Sequence, residues 1–365
     1  MQASLMSTYN SPLKSKGMIA WVLSLILFAF YLLIYFTEIP NSWAHLVGLE
    51  SKWNLYGVLY TIAIVIGGMY FIKVHGNSRY QKLRTISLIF MQVVFAFSIP
   101  SIMELFGSKG FYFAKFWPLG LEQFDPKYIL DFPILIIVYA FVASLIVVPI
   151  LTLLYGKRWY CSWVCGCGGL AETAGDPFRQ HSDKSVKAWK FEQISIHTVL
   201  VLALLATALI AINWGLHYEN SAGEWVTDHA TFDLIASKIQ GVYQFLVVAM
   251  LSGVLGVGLY PLMGSRVWCR FFCPMAALLG LIQKFGRFRI TVKDDMCISC
   301  GNCSTYCEMG IDVRTYAMNN QDFKRASCVG CGMCAHVCPR GVLKLENKWD
   351  FRDTADKKNR KVFDF

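Results

Sequence analysis

Long apolar runs, broken by short polar stretches, fill most of the chain. Six of them reach the roughly 20 residues that a helix needs to cross a hydrocarbon layer. They lie at 17–37, 54–73, 84–106, 128–155, 195–216 and 241–263. A polar segment with Lys14 and Lys16 precedes the first run. That run is longer than a signal-peptide core and lacks a small-residue cleavage site, so it reads as an anchor. Beyond the sixth run the pattern changes. Residues 275–285 keep their apolar side chains on one side, with Lys284 and Arg287 following, as in a helix lying on a membrane surface. Phe288–Val292 and 342–345 alternate in the manner of two short paired strands. From Glu346 the chain is charged, with Lys357, Lys358, Arg360 and Lys361, which predicts a solvated tail.

The expected fold is mainly α: a six-helix transmembrane bundle followed by a small α+β ferredoxin-like domain. The expected divisions are a tail at 1–16, the bundle at 17–287, the small domain at 288–347 and a second tail at 348–365. Composition agrees, since 55% of the 365 residues are hydrophobic and only 16% charged. The net charge of +10 is placed beside the spans, where basic residues signal topology rather than nucleic-acid binding. Lys73, Arg79, Lys82 and Arg84 follow the second span. Lys157, Arg158, Arg179, Lys184, Lys187 and Lys190 separate the fourth and fifth, and Arg266, Arg270, Lys284, Arg287 and Arg289 follow the sixth. The alternate loops are poorer in basic residues, although Lys109, Lys115 and Lys127 fit the rule less well. Both termini and the small domain are therefore expected in the cytoplasm.

Cysteine spacing supplies the chemistry. Cys297, Cys300, Cys303 and Cys307 form one C-x2-C-x2-C-x3-C run, and Cys328, Cys331, Cys334 and Cys338 form another, ending in Pro339. This spacing wraps one [4Fe–4S] cube with three thiolates and sends the fourth to its neighbour. One cluster is thus expected on Cys297, Cys300, Cys303 and Cys338, and a second on Cys328, Cys331, Cys334 and Cys307. Glu308 departs from the pattern, standing where the first run would usually carry proline. Thiols in such spacing require a reducing compartment.

A second cysteine pattern is a repeat. Cys161 and Cys165, after Gly156 and Arg158, recur in register as Cys269 and Cys273, after Gly264 and Arg266. Cysteines at i and i+4 share one helical face, so two such pairs can supply four thiolates to an additional metal or cluster. Alternatively each pair binds a soft ion such as Cu(I), packs as buried thiols, or performs thiol redox chemistry. Arg158, Arg266 and Arg270 would favour thiolates, or else anchor at lipid headgroups. Cys167 reads as a packed thiol.

On these motifs the chain resembles the multispan polyferredoxin-type membrane proteins that include NapH and CcoG. Cys269-Arg-Phe-Phe-Cys273-Pro274 matches their C-x3-C-P motif in full, while Gly166 replaces the proline after Cys165. The resemblance covers about 130–347. It implies electron transfer at the bacterial cytoplasmic (inner) membrane between a quinone, two [4Fe–4S] clusters and a redox partner or respiratory-complex subunit. Two further roles accompany it: a copper reductase serving oxidase assembly, and an anchoring subunit of a larger redox complex. The end at Phe365 leads to the expectation that the extracytoplasmic C-terminal domain of CcoG-like members is lacking, as is the flavin domain of NosR-like relatives. Both expectations lean towards the NapH-like role.

Other candidates are fewer. His197, His217 and His229 do not match in depth, so no haem is expected. Glu104 and Asp131 stand near outer span ends, where carboxylates serve quinol deprotonation or are simply solvated. Gln92 is expected to satisfy a neighbouring helix and His336 to lie on the surface. There is no phosphate loop, dinucleotide glycine motif or hydrolase constellation.

Overall fold

The computed structural model describes residues 17–219, 225–227 and 230–348. Both expected tails, apart from Lys348, and His229 lie outside the described residues. Six helices have the length and apolarity to cross a bilayer: α1 (Gly17–Phe36), α2 (Lys52–His75), α3 (Arg79–Leu105), α4 (Ile134–Tyr155), α5 (Val186–Leu216) and α6 (Thr231–Val257). The protein is a multi-pass membrane protein. Their outward faces are rich in exposed leucine, isoleucine, valine and phenylalanine, the surface that lipid covers. α5 begins earlier than its apolar run because Ser185 caps it, its hydroxyl accepting from the Ala188 amide at 3.2 Å. Within its polar first turns Lys187 and Lys190 are exposed, whereas Glu192 is buried against protein.

Three spans contain widened π-helical stretches, at Met91–Ser98, Ala143–Val147 and Gln244–Val257. Each is followed within a few residues by a proline: Pro100, Pro149 and Pro261. Proline lacks an N–H and crowds the carbonyl four residues earlier, and a wider turn upstream relieves both problems.

The connection between α3 and α4 is not a simple outer loop. It turns back into the bundle, where the Trp117 indole donates to Thr207 Oγ1 at 2.8 Å and its backbone amide to Ser144 Oγ at 3.2 Å. Ser144 is ten residues into α4, a depth of about 15 Å at the helical rise. Irregular backbone at such depth needs protein around it. This explains the lysines that fitted the topology rule poorly: Lys109 is paired with Asp131 and Lys115 with Glu122.

At the other end, α7 (Pro274–Phe285) is buried, contrary to the surface position expected for it. Met275, Ala276, Leu279 and Gln283 have almost no exposure. α7 packs on α4 and α5, and joins the bundle to the small domain. There β3 (Phe288–Val292) pairs antiparallel with β4 (Leu343–Asn347), Phe288 opposite Asn347, as the alternation predicts. A separate hairpin, β1 (His217–Glu219) with β2 (Trp225–Thr227), follows α5 at the far end.

Candidate iron–sulfur centres

The eight cysteines of the two runs form two cages. Cys297, Cys300, Cys303 and Cys338 line one small pocket. Cys307, Cys328, Cys331 and Cys334 line another. Each cage takes three cysteines from one run and the fourth from the other. The loops share a backbone shape: Ser299 (φ 56) and Gly301 (φ 82) in one match Gly330 (φ 60) and Gly332 (φ 77) in the other. Left-handed residues let short loops fold round a centre, and glycine adopts that conformation without strain.

The cages suit iron–sulfur cubes. Their remaining walls are largely apolar, and the amides of Ser299 and Val342 point at Cys297 Sγ and Cys338 Sγ, each at 3.4 Å. Burial pushes the Cys303 thiol up to about 12 and the Cys328 thiol to about 11. Such thiols ionise only beside a strong positive charge, which iron supplies. Among the described residues, no three His, Cys, Asp or Glu side chains are gathered on one ion. A cube differs, because each thiolate binds its own iron and the sulfurs stand apart.

The two cages differ in position. The second faces the bundle: Tyr80 Oη donates to the Gly330 carbonyl at 2.8 Å, Ser162 Oγ to the Val329 carbonyl at 3.0 Å and Gln283 Nε2 to the Cys328 carbonyl at 3.1 Å. The first faces outward, with Ile298 55% exposed and Arg314 and Arg340 on its rim.

The repeated pairs converge. The Cys273 thiol is pushed up first by burial and then by Cys269, Cys161 and Cys165, so the four sulfurs act on one another. They do not lie on continuous helices, as i, i+4 spacing suggested. Cys161 ends a short turn, Arg158–Cys161, and Cys165 caps the next helix, Gly166–Glu172. Cys269 lies in the π turn Trp268–Phe272, and Cys273 caps α7. Each unit opens on a left-handed glycine, Gly156 (φ 73) or Gly264 (φ 96). A Cβ at Gly156 would meet that of Phe288 at 2.5 Å, so the glycine allows the small domain to close. Cys167 is no bystander, since its thiol hydrogen-bonds Cys165 and brings that group down to about 6.

The arginines do not anchor at headgroups. Arg158 lies over the Phe288 ring, and Arg270 Nε donates to Glu192 Oε2 at 2.8 Å. Arg266 belongs to a buried network that sequence reading missed. Arg84 Nη2 lies 2.6 Å from Glu172 Oε2, and Arg266 contacts the other oxygen of Glu172. Arg266 Nε lies 3.1 Å from Glu308 Oε1, and Arg179 Nη1 is 2.9 Å from Glu308 Oε2. Arg179 Nε also donates to Asp176 Oδ1 at 2.9 Å. Several of these ion contacts lack hydrogen-bond geometry, among them those of Arg84 Nη2, Arg266 Nε and both Glu308 oxygens. Arg84 Nη1 donates to the Cys331 carbonyl at 2.6 Å and Arg266 Nη1 to the Cys161 carbonyl at 3.0 Å.

A far larger cavity, ≈ 420 Å³, runs through the bundle between α2, α3 and α6. At one end are Cys165, Gly166, Cys167 and Gln92, and at the other Glu104, Tyr112 and Lys115. Gln92 meets its neighbouring helix as expected, donating to Thr61 Oγ1 at 3.2 Å. Glu104 stands exposed at the mouth, while Asp131 is an exposed partner of Lys109. His197 is bonded to the Gln193 carbonyl at 2.6 Å. His336 is not on the open surface: half-buried, it meets His75 edge-on at 5.5 Å, and burial lowers its pKa.

Eight cysteines caged in two apolar pockets beneath six spans define a membrane iron–sulfur protein of the ferredoxin type. The 4Fe-4S dicluster domain family matches residues 290–345. The 4Fe-4S binding domain family matches 137–185 and 246–293, the two halves of the cysteine repeat. Relatives include the putative electron transport protein YccM of Escherichia coli, 27% identical over 48% of both chains. The methylamine utilization ferredoxin-type protein MauN of Paracoccus denitrificans is 30% identical over 42% of this chain and 50% of its own. The ferredoxin-type protein NapH of Escherichia coli is 25% identical over 48% and 56%. The matched part spans about half the length of these relatives. No solved structure matches. Over this part the chain is similar to NapH-like polyferredoxin-type 4Fe–4S proteins, and its 4Fe-4S family matches support iron–sulfur clusters.

Proposed function

We propose that the chain passes electrons between a membrane quinone and a redox partner, with thiolate-bound iron–sulfur centres at three places. Cys161, Cys165, Cys269 and Cys273 hold the one nearest the bundle interior. Cys307, Cys328, Cys331 and Cys334 hold the next, and Cys297, Cys300, Cys303 and Cys338 the outermost. Each centre, when bound, takes up and releases a single electron. The observation that carries the reading is the large cavity: it lies at bilayer depth and ends against Cys165 and Cys167. A lipid-soluble carrier suits a largely apolar site that lies among the spans and ends against cysteines. The 4Fe-4S binding family match on the repeat supports a cluster there over copper.

Within this site Gln92 offers an amide to a quinone carbonyl, and Tyr56, Tyr60 and Phe97 flank a ring. Gln92 and Glu104 are twelve residues apart on α3, about 18 Å along the helix. Glu104 therefore receives protons near the mouth rather than directly at Gln92. Arg314 and Arg340 flank the outermost cage, where they favour an acidic partner surface. The basic loops and the reducing environment that thiols need both favour the cytoplasm for this end.

The test is anaerobic addition of a short-chain quinol to the purified protein, following cluster reduction by EPR. Wild type reduces, whereas Gln92→Leu reduces at least tenfold more slowly and still responds fully to dithionite. Equal quinol rates in wild type and Gln92→Leu would sink the assignment of the cavity. Iron per chain is expected to exceed the roughly 8 of two clusters. It falls to about 8 when Cys161, Cys165, Cys269 and Cys273 are all replaced by serine.

A further inference from the structure

The buried charge network turns on a residue that cluster spacing does not require. Cys338 is followed by Pro339, but Cys307 at the corresponding place is followed by Glu308. Glu308 has no solvent exposure, and its carboxylate lies between Arg179 and Arg266. These arginines reach sulfurs of different sets. Arg179 Nη1 donates to Cys331 Sγ at 3.9 Å, whereas Arg266 Nη1 donates to Cys269 Sγ at 3.7 Å. Arg266 simultaneously holds the carbonyl of Cys161, so it grips both halves of the repeat. Glu308 is fixed by its own loop, because the Cys307 carbonyl accepts from Ser182 Oγ at 2.7 Å. One anion thus stands between two thiolate sets, with an arginine carrying its influence to each. Among the described residues, the outer set has no comparable contact with it.

We propose that Glu308 is a positioning residue shared by two redox sites: it seats Arg179 on Cys331 and Arg266 on Cys269, and thereby sets the reduction potentials of both sites together. The inference rests on the reading of these thiols as iron–sulfur ligands. Cluster potential follows local charge and hydrogen bonds to sulfur. Charges buried this deeply are little screened by salt or water. A proline at this position supplies neither charge nor contact. With glutamate, a change at either site is felt at the other, while the cage of Cys297, Cys300, Cys303 and Cys338 keeps its own potential.

The experiment is an EPR-monitored redox titration of the full chain in lipid nanodiscs. Glu308→Gln keeps the shape and removes one negative charge, so both inner sites become easier to reduce. The expected rise at each is at least tenfold in the one-electron equilibrium, or 59 mV, with the outer site unmoved. Glu308→Asp, which retains the charge, moves both by a smaller factor. A rise at one inner site alone, equal rises at all three sites, or no rise overturns the proposal. If Glu308→Gln fails to hold iron, Arg179→Lys replaces it: the charge stays but the fork is lost. That variant lowers the potential of the Cys331 site alone, and an unchanged Cys331 site overturns the proposal. Wild-type protein with fewer than three titrating centres defeats the ligand reading itself, and the coupling with it, before any substitution is made.

Discussion

Glu172 shows how closely the charges are matched. Its oxygens face Arg84 and Arg266, and Ser162 Oγ lies 2.8 Å from one of them. None of the three charged side chains has measurable exposure. Removing one partner from such a set leaves buried cations uncompensated and costs about 3–5 kcal/mol. Glu172→Gln should therefore lower thermal stability of the detergent-solubilised protein by several degrees, and an unchanged melting temperature would show that water reaches the network. At this scale the sequence was informative about ligands and poor about their supports. Both cages contain the four cysteines that spacing assigns to them, because ligand spacing is a local property of a short loop. Glu308 was visible only as a missing proline. Its partners Arg179 and Arg266 come from distant segments, and only the closed fold brings them to it. Cys167 and His336 were misjudged for the same reason, since each acquires its neighbour, Cys165 or His75, through packing.

Among the elements, the spans were legible because long apolar runs have few other uses, and only their ends moved. The departures occur where polar residues are buried by protein instead of exposed to water. The start of α5 carries Glu192, bonded to Arg270 and Ser327. Apolarity on one side of α7 suggested a lipid surface, but the same pattern serves a helix wedged between two domains. Gly280 marks the tightest point of that wedge, where a Cβ would approach the Ala326 carbonyl oxygen to 2.8 Å. Backbone cannot yield as a flexible side chain can, so Gly280→Val is expected to cost about 1–3 kcal/mol. Limited proteolysis should then release the small domain faster than from wild type. Equal release would mean that α7 shifts to accommodate the methyl groups. The re-entrant segment between α3 and α4 left little trace, because its polar residues resemble those of an ordinary loop. Its only signal was the run of lysines that fitted the topology rule poorly.

For the molecule as a whole, the sequence placed the repeat between the membrane and a cysteine-rich domain but could not order the two cages within that domain. The structure places the repeat nearest the bundle interior, then the cage holding Cys331, then the cage holding Cys300. Orientation in the membrane is testable through Arg340, which is exposed beside the outer cage. Trypsin should cleave there in inverted membrane vesicles and spare the site in right-side-out ones, whereas the reverse pattern would place the clusters outside the cytoplasm. The arrangement also bears on how such a protein is made. The four cysteines of the repeat are covered from one side by the re-entrant segment, whose Ala114 carbonyl accepts from Tyr160 Oη at 2.9 Å. On the other side they are covered by the small domain through Ser162 and Arg266. Once both covers are seated, these thiols are shielded from an assembly protein. On the proposed reading, the innermost centre is loaded while the C-terminal segment is still undocked, so the biogenesis of this redox chain runs from the membrane outward.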